Sequence, residues 1–111
     1  MGLFQKVIEK RKQGQDKSKE LLNSTIARLE TAGMTDATSR LKCSQDLLKS
    51  TSGYMKHLVR ANAGKEDLDE VCLSWTNQLK EALTKHGLTD QVVQEEFILD
   101  YITKFADIVE A

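Results

Sequence analysis

Proline is missing from all 111 residues, where about 5% is usual. Nothing therefore fixes φ or removes a backbone donor, and helices can run uninterrupted. Long apolar runs are missing too: no stretch reaches the ~20 residues that a membrane-spanning helix needs. Cysteine is scarce, with only Cys43 and Cys72, and reduced thiols in an intracellular chain are the default expectation. Neither sign of charge dominates. Sixteen basic residues face seventeen acidic ones, a formal net of −1, so the whole molecule has no strong electrostatic preference. The opening Met1-Gly2-Leu3-Phe4-Gln5-Lys6 lacks the apolar core of a signal peptide. Lys6 also stands where a myristoylation motif wants Ser or Thr. A cytoplasmic protein is the expectation. Asn23-Ser24-Thr25 is a formal glycosylation sequon, but it falls inside a predicted helix and reads as chance.

What the chain does have is one short pattern twice. Gly33-Met34-Thr35-Asp36 and Gly87-Leu88-Thr89-Asp90 both read Gly, large apolar, Thr, Asp. Gly supplies the left-handed residue that ends a helix, the apolar residue folds back on the last turn, and Thr or Asp caps the next helix. With Asn62-Ala63-Gly64 as a third turn, the spacing predicts four helices at about 2–32, 36–61, 65–86 and 90–110 of a single 1–111 domain. Short connections make sequential helices antiparallel. The expected fold is all-α, an up-down-up-down antiparallel four-helix bundle built from two helical hairpins.

The 3–4 spacing of apolar residues places the faces. In helix 1 it runs through Leu3, Phe4, Val7 and Ile8, then Leu21, Leu22, Ile26 and Leu29. Arg11, Gly14, Gln15 and Ser18 interrupt that face, so a break at Gly14 is one alternative. In helix 2 the stripe is Ala37, Leu41, Ser44, Leu48, Thr51, Met55 and Leu58, widened by Leu47 and Tyr54. Helix 3 offers Leu68, Val71, Cys72, Trp75, Leu79, Ala82 and Leu83. Counting outward from the turns puts Gly14, Gln15, Ser18, Thr51 and Ser52 level with Trp75 and Tyr101. Small residues there make room for the indole, or else leave a polar layer that admits water or a small ligand. The indole N–H and the phenol would need partners, which Gln15, Ser18 or Thr51 could supply.

Catalytic and metal signatures do not emerge. The cysteines lie roughly 15 Å apart along the bundle by helical rise, too far to bridge, with Cys72 expected on the core face and Cys43 on the outer face. Neither His57 nor His86 follows a Glu-x-x-His pattern, as a di-iron bundle requires. Glu66, Asp67, Asp69 and Glu70 sit in the first turns of helix 3, where the dipole favours acids. No calcium loop, phosphate loop or nucleophile–base pattern is present. The expectation is a chain that is not an enzyme and uses no cofactor or metal.

Two charged features remain. Residues 1–20 carry six basic against three acidic side chains, and residues 90–111 carry six acidic against Lys104 alone. Adjacent in the bundle, these ends can offset one another. Alternatively, residues 2–13 with Lys6, Lys10, Arg11 and Lys12 detach at Gly14 and lie on a membrane surface. On helix 2, Lys42, Lys49 and Lys56 are seven apart with Arg60 four beyond. They form either a solvated face or a line able to follow a phosphate backbone.

Helix 4 is the strongest hint. Ile98, Tyr101, Ile102, Phe105, Ile108 and Val109 form its inward face, and the arc extends to Phe97 and Val93 on one side and Leu99, Val92 and Ala106 on the other. That arc exceeds roughly 200°, against the ≳100° of an ordinary surface helix. The excess suits association with another chain. The expected function is a protein-interaction module that binds itself or a partner helix through Val92, Val93, Phe97, Leu99 and Ala106. The alternative is binding of nucleic acid or a membrane surface through Lys42, Lys49, Lys56 and Arg60 or the N-terminal segment.

Overall fold

A computed structural model of the chain describes the backbone of residues 2–110 and the side chains of residues 16–110. Its elements are α1 (Gly2–Thr31), α2 (Ala37–Asn62), α3 (Leu68–Lys85) and α4 (Gln91–Glu110), with no strand among the described residues. The backbone of α1 is helical through Gly14. Side chains expected to face partners from residues 2–15, including Gln15 and the basic amphipathic segment, lie outside the described ones.

Both copies of the Gly-apolar-Thr-Asp pattern fold alike. Gly33 and Gly87 take φ of +107° and +94°. The Met34 N–H donates back to the Leu29 carbonyl at 3.0 Å, and the Leu88 N–H to the Leu83 carbonyl at 2.9 Å. This is the six-residue closure of a Schellman cap, with the apolar residue folded onto the final turn. Met34 and Leu88 are accordingly buried. Asp36 then accepts from the Ser39 N–H at 2.8 Å and Asp90 from the Val93 N–H at 3.1 Å. The backbone and hydroxyl hydrogen bonds from Ser39 hold the Asp36 carboxyl below its usual range, the backbone bond being the largest cause.

Helix 3 begins three residues later than the expected 65, at Leu68. Asp67 captures the N–H groups of Asp69 and Glu70. The short side chain of Asp suits the N-cap position, which Lys and Glu do not; the Glu66 carboxylate is engaged by His57 instead, and Lys65 and Glu66 stay in the turn.

The helices pack in a cycle: α1 touches α2 and α4, α2 touches α3, and α3 touches α4. Along α2 and α3 the contacts pair His57 with Glu66, Tyr54 with Trp75, and Cys43 with Ala82. Along α1 and α4 they pair Arg28 with Asp100 and Glu20 with Lys104. One cluster links Leu21, Leu29, Leu47, Leu79, Leu83 and Phe97 at its centre. The radius of gyration, 15.4 Å, exceeds the about 13 Å of a compact domain of this length, because α1 and α2 outrun α3 and α4.

The buried face of α2 is rotated from the expected stripe. Cys43, Ser44, Leu47 and Thr51 point inward, while Leu41 and Met55 are 42% and 47% exposed. This corrects the placement of Cys43, which is fully buried rather than on the outer face; Cys72 is half-buried. The cause is the bulk facing α2. Thr51 meets the Tyr101 phenol at 2.6 Å, and Trp75 stacks on Tyr54 one turn further along.

Candidate functional site

Helix α4 is fixed from three directions. The Gln94 amide donates to the Leu88 carbonyl at 2.6 Å and to Thr84 Oγ1 at 2.9 Å, tying the first turn to the end of α3. Arg28 Nε donates to Asp100 at 2.8 Å, and Lys104 lies 3.7 Å from Glu20, tying one flank to α1. Phe97, Ile98, Tyr101 and Ile108 fill the core.

The apolar surplus of this helix then divides. Phe97 is 1% exposed, so it belongs to the interior and presents no surface. Val93 and Ala106 are half-buried. Val92 and Leu99 are 63% and 66% exposed. Seven residues are close to two helical turns, so these two lie nearly in line, about 10 Å apart. Around them Glu95, Glu96, Asp107 and Glu110 are exposed and make no ion pair among the described residues.

The basic residues of α2 gather on a different corner. Lys42, Lys49 and Lys56 are exposed and make no ion pair among the described residues. Arg60 departs from the line toward Glu66, 3.9 Å away. Asp46, the acid on the flank of this stripe, is turned to α3, where it meets His86 Nε2 at 2.7 Å and Lys85 Nζ at 3.6 Å. The hydrogen bond from His86 is the main reason its carboxyl titrates below the usual range. Leu41 and Val59 are exposed on the flank of the helix next to the lysines, and Met55 is exposed further round, toward the buried face.

Sequence reasoning missed a cleft of about 470 Å³ between the end of α2 and the start of α3. Tyr54 stacks on Trp75 along it, with ring centroids 4.0 Å apart and planes at 11°. His57, Glu66, Asp67 and Glu70 line its rim. Several of these groups already have partners in the fold. His57 Nδ1 contacts Glu66 at 2.9 Å, and Asp67 caps α3. Trp75 Nε1 is buried without a hydrogen-bond partner among the described residues. Two aromatic residues twenty-one positions apart gave no local signal that they would stack.

The Tyr101 phenol did find the partner its layer offered. Its Oη lies 2.6 Å from Thr51 Oγ1, and burial pushes its pKa up to about 12. Among the described residues, no group of three His, Cys, Asp or Glu side chains is placed to hold a metal. No described helix is long and apolar enough to cross a membrane.

The chain matches no family model, no curated protein and no solved structure.

Proposed function

We propose that this chain is a non-enzymatic, cytoplasmic protein-interaction module that docks an apolar helical face on the flank of α4. Its helices run up-down-up-down as an antiparallel bundle. The pairings of α2 with α3 and of α1 with α4 support this, because partner numbers fall on one helix as they rise on the other. The observation that carries the functional reading is the exposure of Val92 and Leu99, in line on a helix whose other large apolar residues mostly turn inward. Isolated apolar residues on a surface need no explanation. Two in register on one ridge, beside a half-buried Ala106, give a partner helix a seam to pack on.

The test is affinity capture from the source cell with the wild-type chain and with Leu99→Lys. A protein held by the wild type in high salt and lost with Leu99→Lys supports the reading. Identical retention by both chains overturns it. Salt-labile retention lost only with Lys49→Glu would assign binding to the α2 lysines instead.

A further inference from the structure

We propose that the occupant of the α4 flank is the outer face of α2 from a second copy, so that the chain assembles head to tail. This rests on the reading of α4 as a docking ridge and names its partner. The argument is complementarity between two faces of one molecule. The α4 ridge sets Val92 and Leu99 among Glu95, Glu96 and Asp107, and the α2 face sets Leu41 and Val59 on the flank of Lys42, Lys49 and Lys56. None of these charged groups forms an ion pair among the described residues, whereas Asp46, Glu66 and Asp100 do. Each face thus offers charge of one sign, with no ion-pair partner among the described residues, next to exposed apolar side chains, and the two signs are opposite. Such faces steer toward one another and fix register.

Geometry then sets the kind of assembly. Thr51 on α2 and Tyr101 on α4 meet in the core, so the inner faces of these helices oppose each other and their outer faces look away. The ridge of one copy cannot meet the α2 face of its partner while the partner's ridge meets the first copy's α2 face. The contact is heterologous, and each added copy leaves one free face of each kind. A single helix-on-helix contact falls at or below the low end of stable interfaces, ~1,200 Å² in total, so the association is reversible and weak.

The experiment uses sedimentation velocity on the full chain over a wide concentration range at two salt levels. The wild type is expected to rise in mass past the dimer without a plateau, and less so in high salt. Two half-blocked variants follow: Lys49→Glu/Lys56→Glu, which loses the α2 face, and Leu99→Lys, which loses the ridge. All three positions are exposed, and circular dichroism checks that each variant is folded. Each variant alone should stay monomeric, and an equimolar mixture of the two should form a dimer and nothing longer. A wild type that is monomeric throughout, one that stops at a dimer, or a mixture that fails to dimerise would each overturn the proposal. If the wild type is monomeric while Leu99→Lys still abolishes capture of a cellular protein, the α4 reading survives and only self-assembly falls.

Discussion

Thr51 Oγ1 and Tyr101 Oη lie 2.6 Å apart between two helices that do not otherwise touch along their backbones. The threonine hydroxyl also approaches the Leu47 carbonyl at 2.8 Å, and the phenol approaches the same carbonyl at 3.4 Å. Three buried polar atoms therefore satisfy one another across the core. Removing one hydroxyl leaves the other with a poorer partner, so Tyr101→Phe should cost about 1 kcal/mol and Thr51→Val about 1–2 kcal/mol. The double variant should cost less than the two combined, because both singles break the same bond. Urea denaturation of the four chains measures the coupling. Strict additivity would mean that the bond contributes nothing.

Ser44 makes the opposite case. Its side chain is buried on α2 and its Oγ has no hydrogen-bond partner among the described residues. A buried hydroxyl without a partner costs free energy, and alanine is also the better helix former. Ser44→Ala should therefore raise the denaturation midpoint, by the equivalent of about 1 kcal/mol. A lower midpoint would show that the hydroxyl is satisfied in solution.

The two cysteines should differ sharply in reactivity. Cys43 is fully buried, with Sγ 3.9 Å from the Ala82 carbonyl, and burial pushes its thiol up to about 12. Since the thiolate is the nucleophile, Cys43 is protected both by access and by protonation. Cys72 is half-buried beside Tyr54. A chromogenic disulfide reagent at pH 8 should titrate one thiol in the folded chain, mapped to Cys72 by peptide mass, and two after denaturation.

The turns were the most legible part of this fold, because Gly, apolar residue and Asp each do a local job at a fixed offset. The level of Thr51 with Tyr101 was also legible, from counting residues between turns. Which side of α2 faces inward was not. Leu41, Cys43, Leu47, Leu48 and Met55 span a wide arc, and its centre is decided by Trp75 and Tyr101 on other helices. The Tyr54–Trp75 stack and the cleft beside it depend on the spacing of α2 and α3. For α4, the apolar arc was readable, yet its division into a buried Phe97 and an exposed Leu99 came only with the positions of α1 and α3.

Asp46 links stability to pH. Its folded pKa is depressed from the ordinary 3.8, first by the His86 hydrogen bond and also by Lys85. A depressed carboxylate contributes stability in full above its unfolded pKa and loses it as pH falls through the lower folded value. The group is partly solvated, so the contribution is a few tenths to about 1 kcal/mol. Asp46→Asn should lower the urea midpoint at pH 7, and the gap should close below the ordinary 3.8. A gap unchanged at pH 3 would place the loss in packing instead of charge.

Two glycines of opposite sign give the last prediction. Gly53 lies inside α2 with a negative φ, and a Cβ built there meets nothing within 4 Å. Alanine at this position should remove freedom from the unfolded chain without strain, stabilising the fold by about 0.5–1 kcal/mol. Gly87 also has open space, but its φ is +94°. An L side chain there pays about 1–2 kcal/mol for the left-handed backbone, and the Schellman closure onto Leu83 weakens with it. Thermal melts should therefore move up by about 3–5 °C for Gly53→Ala and down for Gly87→Ala. Because neither substitution meets a steric neighbour, a shared direction of change would show that backbone conformation is not what sets these two positions apart.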